Sequence, residues 1–276
     1  MSPAAQKKPD DYQSLLVVLQ EVLGIVVDDD NHAQLRQKLV PIMAEHDCNS
    51  LNRLAEILRD EPSNVLRSSI LQSITEHNSE WFAYPDISML LKEYVLPGII
   101  NENKSAYRVW VVGCGQGQIA YSMAMVIEDF RRQNDMNCSV EIVATELSEF
   151  TVSRAEAGRY DLSRLSGLPL DYKQKFMDAH DDKWEVSQEI KSMVQFKVCN
   201  LLEQFTYMGR FDLIICPDVL VYFCNAIKSE ILSEFAELLD SSGMLIVNTN
   251  EPVTPFCENF ELVNHEAGVF YRQISA

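Results

Sequence analysis

Basic residues are scarce in this chain. Of its 276 residues only 23 are lysine or arginine, against 41 aspartate and glutamate, which leaves a formal net charge of −18. Nucleic-acid backbones are held by basic surface, so this balance argues against a nucleic-acid partner. Histidine is thin too: five residues, at 32, 46, 77, 180 and 265, lie scattered without ligand spacing, and no metal site is expected. The seven cysteines contain no CxxC pair, which fits reduced thiols and a cytoplasmic location. No leader with an apolar h-region precedes the first charged residues, and the longest early apolar run, LLVVLQEVLGIVV, is broken by Gln20 and Glu21. Neither a signal peptide nor membrane insertion is expected. Repeats and low-complexity tracts are absent as well.

What the chain does have is two kinds of periodicity. Up to about residue 75 it reads as helices alone, with Tyr12, Leu15, Leu16, Leu19 and Leu23 at helical spacing, then Leu35, Leu39, Ile42 and Met43, then Leu51, Leu54, Ile57 and Leu58. Asn49 or Ser50 is placed to cap the third of these helices, and SNVLRSSILQSI makes a fourth. A small helical bundle is predicted. Beyond residue 105 strand and helix alternate. YRVWVVG, SVEIVATE, FDLIICPD and GMLIVNTN are apolar strands, the segments between them carry amphipathic helices, and FELVNHE with GVFYRQI suggests a closing hairpin. The pattern predicts an α/β domain with a mostly parallel sheet covered on both faces. A polar stretch at 178–193 interrupts the alternation as a small insertion.

The first strand runs into a turn, WVVGCGQGQIAYSMAM, with Gly113, Gly115 and Gly117. Such a turn lets backbone approach a ligand at a helix N-terminus. Its GxGxG spacing is not the GxGxxG expected around a dinucleotide pyrophosphate. Glu146 ends the second strand, where a carboxylate accepts from both ribose hydroxyls, and the amide of Asn200 in VCNLLE suits an adenine edge. A ribose, an adenine and no pyrophosphate suggest S-adenosylmethionine (SAM), with S-adenosylhomocysteine (SAH) as the demethylated product. Cys114 and Cys216 beside the turn read as small apolar fillers.

These residues resemble the CheR-type chemotaxis receptor methyltransferases, from about residue 12 to the C-terminus. The family's AGCSTGEEPYSLA is matched by VGCGQGQIAYSMA, its ATDI by ATEL, its ARAGxY by AEAGRY, its NLL by Asn200–Leu202, and its FDxIFCRNVLIYF by FDLIICPDVLVYF. The resemblance implies an all-helical N-terminal domain and linker over 1–83, and a Rossmann-like SAM-binding domain over 84–276 with a small β-subdomain at 178–193. It implies a protein-glutamate O-methyltransferase whose partner is a chemoreceptor or other signalling protein. By the same resemblance Tyr222 and Ser79 are catalytic, and Gly113, Gly115, Gly117, Gln118, Glu146, Asn200, Leu201 and Asp218 bind the cofactor. Arg36, Lys38, Arg53 and Arg59 resemble the basic residues with which the family meets a receptor helix, although nearby acids suit them equally to ordinary surface pairing.

The chain also departs from the pattern. The family's TTNETxFFR segment reads TEHNSEWFA here, with Ala83 at the arginine. Gln118 stands at the first glutamate of GEEPYS, and Pro217 and Asp218 replace the arginine and asparagine of CRNV. Losing a charge-assisted clamp on the acceptor costs roughly 2–4 kcal/mol, on the order of 30- to 1000-fold in rate. A SAM- or SAH-binding regulator or scaffold of the same fold is therefore the alternative expectation.

Overall fold

The computed structural model describes residues 11–27, 32–60, 63–75 and 80–274. The chain divides into two compact units, one of residues 1–76 and 221–228 and the other of residues 77–220 and 229–276.

The first unit is built on four helices: α1 (Asp11–Leu23), α2 (His32–Glu45), α3 (Leu51–Asp60) and α4 (Asn64–Thr75). Each buries one apolar stripe at helical spacing, such as Leu15, Val18 and Leu19 on α1 and Leu51, Leu54 and Leu58 on α3. Serines cap α3 and α4: Ser50 Oγ accepts from Arg53 N and Ser63 Oγ from Leu66 N. Of the basic residues, Arg53 pairs with Glu56 at 2.8 Å, Arg59 with Glu21 at 3.6 Å, and Lys38 donates to the Ile74 carbonyl.

The second unit opens with α5 (Pro85–Leu90), a π-helical turn over Leu91–Val95, and α6 (Leu96–Asn101). The widened turn lies just ahead of Pro97, which brings no N–H to the helical ladder. Then come β1 (Ala106–Val112), α7 (Gln118–Asn134), β2 (Ser139–Glu146), α8 (Glu149–Ala157), β3 (Arg159–Asp161), α9 (Leu170–Phe176), β4 (Met177–His180), β5 (Lys183–Val186), α10 (Gln188–Ser192), β6 (Val194–Val198), β7 (Phe211–Ile215), α11 (Asn225–Leu238), β8 (Leu239–Ile246), β9 (Phe260–His265) and β10 (Gly268–Gln273). α11 runs from the first unit into the second. The main sheet has seven strands in the order β6-β2-β1-β7-β8-β10-β9, parallel except for β10, which is antiparallel to both of its neighbours. The expected mostly parallel sheet and closing hairpin are both present.

Strand β1 shows why the sheet is covered on both faces. Val109 and Val111 face the apolar cluster that includes buried α7 residues, while Trp110 points the other way into Phe205, Phe211 and Phe235. Trp110 is fully buried and its indole N–H donates to Thr145 Oγ1, so no polar group is stranded. Truncating such a side chain costs about 3–5 kcal/mol. β2 lies on one side of β1 and β7 on the other, so the direction of winding reverses at β1. In open α/β sheets ligands sit outside the carboxyl ends of the strands at that reversal.

A second sheet, β3-β5-β4, is antiparallel and small. Two of its strands fall in the polar stretch that the sequence marked out; the third, Arg159–Asp161, comes from directly after α8. Glu185 on β5 ties the sheet together, accepting from Lys191 Nζ at 2.6 Å and Arg159 Nε at 2.7 Å. Those two cations hold its carboxyl below the usual range. A depressed carboxylate pKa gives stability that is present above the unfolded value and lost as pH falls through the folded one. Glu185→Gln is expected to lower the free energy of urea unfolding by about 0.5–1.5 kcal/mol at pH 7. The gap between variant and parent should close as pH falls through the carboxylate range, and a gap independent of pH would contradict this account.

Candidate active site at the carboxyl edge of the sheet

The glycine turn sits at the end of β1. Gly113 has φ +65° and Gly117 φ +96°, in the left-handed region that side chains disfavour. A Cβ on Gly113 would lie 2.6 Å from Val219 Cγ2, and one on Gly117 3.1 Å from Ala155 Cβ. Gly115 is also left-handed, at φ +53°. Two hydrogen bonds tie the turn down from outside: Cys114 N donates to the Thr145 carbonyl and Tyr160 Oη to the Gln116 carbonyl. The helix that follows, α7, is buried from Gln118 to Glu128. Its N-terminal N–H groups open toward the turn without a side-chain cap.

Glu146 ends β2 beside this turn. Its Oε2 accepts from Gly115 N at 2.8 Å and its Oε1 from Leu147 N at 2.7 Å. An ionised carboxylate has about four lone-pair sites, so two remain for a ligand. Gln118 is fully buried, and neither its amide nitrogen nor its amide oxygen has a hydrogen-bond partner. A buried amide left unpaired costs about 1–3 kcal/mol, and such a group beside a glycine turn suits a ligand's polar atoms. Asn200 follows β6 and closes a local turn, accepting from Leu202 N at 3.0 Å and donating to Glu203 at 3.2 Å. Leu201 lies within that turn, half-buried.

On the other side of β1, past β7, lies Asp218 with φ +56°. Three hydrogen bonds fix it. Tyr84 Oη donates to Oδ2 at 2.9 Å and Asn248 Nδ2 to Oδ1 at 2.7 Å. Its own N–H donates at 2.7 Å to Glu251 Oε2, which also accepts from Asn248 N. Glu251 is only 4% exposed, so a buried carboxylate pins the ends of β7 and β8 together. Around this network is a cavity of about 540 Å³, bordered by Gly113 and Ile119 on the turn side and by Ala83, Tyr84, Pro217, Asp218 and Asn248 elsewhere. Among the described residues its charged lining is Glu80, Asp86 and Asp218, with no lysine, arginine or histidine.

The segment that carries Ala83 is anchored by the two residues before it. Trp81 is buried, donates from Nε1 to the Arg164 carbonyl, and packs edge-on against Tyr160. Phe82 N donates to Ser122 Oγ, which itself donates to the Gln118 carbonyl. Cys114 and Cys216 are fully buried, and burial pushes both thiols well above their ordinary value. They are neutral fillers, as their strand-end positions suggest.

The structure thus brings Gly113 and Asp218 to one cavity and sets Glu146 against Gly115. Tyr222 is not among the residues lining that cavity; it borders a cavity of about 320 Å³ within the first unit, beside Val26, Leu35 and Lys38. Ser79 and His77 lie outside the described residues. Tyr84, Asn248 and Glu251 were not foreseen. Asn248 and Glu251 follow the β8 strand, and polar residues just past an apolar strand next to the winding reversal are the signal by which they could have been found.

A glycine turn at the reversal of a doubly wound sheet, with a carboxylate closing the next strand, defines a nucleoside-cofactor site on a Rossmann-like domain. Comparison with known proteins makes this specific. Residues 77–269 match the family described as CheR methyltransferase, SAM binding domain. Chemotaxis protein methyltransferase 1 of Pseudomonas aeruginosa is 30% identical over 267 residues, covering 95% of this chain and 97% of the relative. The chemotaxis protein methyltransferase of Vibrio anguillarum is 33% identical, covering 95% and 96%. Among solved structures, a TehB-like SAM-dependent methyltransferase from Corynebacterium glutamicum overlaps 66% of this chain and 89% of its own at 13% identity and a TM-score of 0.37. The chain belongs to the CheR methyltransferase family, and its cofactor is SAM.

Two glycines in contrasting settings test the turn. Gly113→Ala combines a positive φ with a clash, and is expected to lower stability by about 1–3 kcal/mol. Gly98→Ala on α6 meets nothing within 4 Å, and is expected to raise it by about 0.5–1 kcal/mol. Thermal unfolding of both variants reads the difference; equal shifts would contradict the strain assigned to Gly113.

Proposed function

We propose that this chemotaxis-type methyltransferase transfers a methyl group from SAM to glutamate side chains of a chemoreceptor or similar signalling protein. The observation that carries the reading is Glu146, a carboxylate held at the end of β2 by Gly115 N and Leu147 N with lone pairs to spare. In this reading Glu146 takes the ribose hydroxyls, Gly113, Gly115 and Gly117 let the backbone close on the ligand, and Gln118, Asn200, Leu201 and Asp218 complete the cofactor contacts. The cytoplasm is the location proposed, in keeping with seven cysteines that form no disulfide. No described helix is long and apolar enough to cross a membrane.

SAM supplies an electrophilic methyl on a sulfonium. The acceptor glutamate is ionised at neutral pH, its ordinary pKa being about 4.3, so the protein needs no general base. Its tasks are to align the acceptor and keep water out. The roles given to Tyr222 and Ser79, as hydroxyl donors to the acceptor, rest on the family resemblance. At position 83 the chain offers only a methyl group, and among the described residues the cavity lining carries no cation. That absence supports a second reading, a SAM- or SAH-binding regulator that does not turn over.

Calorimetric titration with SAM, followed by methyl transfer from labelled SAM to a receptor signalling domain, separates the two. Binding with transfer supports the enzyme, and binding without transfer to any receptor supports the regulator. Glu146→Ala is expected to weaken SAM by about 1–3 kcal/mol, since two hydroxyls lose their acceptor; unchanged affinity would remove the ribose from this position.

A further inference from the structure

We infer that Tyr160 is a positioning residue for methyl transfer: its hydroxyl holds the cofactor turn and its ring holds the segment that carries Ala83, so one side chain fixes the spacing between methyl donor and acceptor. This rests on the SAM reading of the glycine turn and on transfer to an acceptor in the cavity beside it. Tyr160 is not among the residues lining that cavity. It acts through what it holds.

The first hold is polar. Tyr160 stands in the middle of β3, 3% exposed, and its Oη donates to the Gln116 carbonyl at 2.7 Å. Gln116 lies between left-handed Gly115 and Gly117, outside any helix or strand, so a fixed donor from another element sets where this part of the turn rests. Burial pushes the phenol well above its ordinary value, and it stays a protonated donor at neutral pH.

The second hold is apolar. The Tyr160 ring meets Trp81 edge-on, with centroids 5.0 Å apart and planes at 74°. Trp81 is itself gripped by the stretch between β3 and α9. Its Nε1 donates to the Arg164 carbonyl at 2.9 Å, and its own carbonyl lies so close to Gly167 that an added Cβ there would stand 2.7 Å away. The next residue, Phe82, has φ +51°, which a bulky side chain adopts where its surroundings impose it. Those surroundings are Tyr172 on α9, 4.9 Å from the Phe82 ring, and Ser122 on α7, which accepts from Phe82 N. The bend so imposed delivers Ala83 and Tyr84 to the cavity wall.

Gly113 and Ala83 border the same cavity, one following β1 and the other following Phe82. Tyr160 stands behind both. In-line displacement needs its reacting atoms about 3–3.5 Å apart, and a misplacement of about 1 Å costs on the order of 100-fold in rate. A side chain that ties both walls therefore governs the rate without touching either ligand. Core filling would need the ring but not the hydroxyl; service to the turn alone would need the hydroxyl but not the contact with Trp81.

Kinetics of receptor methylation by the full chain separate these roles. Tyr160→Phe, which removes only the hydroxyl, is expected to raise KM for SAM about threefold to tenfold, the worth of one neutral hydrogen bond. It is also expected to lower kcat about tenfold, so that saturating SAM does not restore the rate. Unchanged kinetics would overturn the proposal, and so would a raised KM with kcat intact. Trp81→Phe leaves the tie to the turn in place and is expected to lower kcat with KM for SAM within about twofold; a rise in KM matching that of Tyr160→Phe would count against the division of roles. Hydrogen exchange reads the same tie without turnover. Saturating SAH is expected to slow exchange over residues 159–168 of the parent, none of which lines the cavity, and Tyr160→Phe is expected to lose more than half of that slowing. An identical response in the two proteins, or none in the parent, would overturn the tie. No SAH binding to the parent would overturn the SAM reading instead. Absence of transfer by the parent would overturn the enzyme reading and this role together; transfer by the parent with Tyr160→Phe unchanged would overturn only the role.

Discussion

The grip of Glu146 on the backbone of the glycine turn sets the geometry on which the rest of the site depends. A parallel strand ends with unpaired peptide groups, and a turn of left-handed glycines adds more. One carboxylate at the end of β2 satisfies N–H groups on both sides of it, Gly115 and Leu147. Because the carboxylate is held by main chain, its remaining lone pairs have a fixed direction before any ligand arrives. Nothing need reorganise to present them, which is where preorganised sites gain over flexible ones. The fully buried start of α7 and the Tyr160 hydroxyl on Gln116 hold the turn from behind.

Across β1 the same problem has another solution. The ends of β7 and β8 are joined by Glu251, a buried carboxylate that accepts from two main-chain N–H groups, and Asp218 is raised on that platform into a left-handed conformation. Tyr84 and Asn248 then fix the direction of its side chain. The result is a cavity whose wall chemistry is anionic and hydrogen-bonding, with Ala83 contributing little more than shape.

Much of this was legible in the residues themselves. SVEIVATE coincides with β2 to the residue. The glycine spacing and the acidic residue after the second strand identified the ligand class. The small sheet was half visible: β4 and β5 lie in the polar stretch, but β3 has three residues, too few for any alternation to register. β8 begins at Leu239, four residues before the apolar run, because pairing with β7 extends a strand through Asp240 and two serines that have no strand character of their own. The partners of Asp218 escaped for a different reason. Tyr84 is 134 residues away in sequence and Asn248 is 30, and only the sheet order makes them neighbours. Likewise nothing in a sequence states that Gln118 is buried without a partner.

The sheet order carries a consequence for how such a protein diverges. Glu146 ends the strand on one side of β1 and Asp218 follows the strand on the other, each fixed by its own set of hydrogen bonds. Residues at the β7–β8 end can therefore be exchanged while the β2 end keeps its grip on the turn. A substitution at Ala83, Pro217 or Asp218 therefore changes the wall of the cavity without loosening the hold of Glu146 on Gly115 and Leu147.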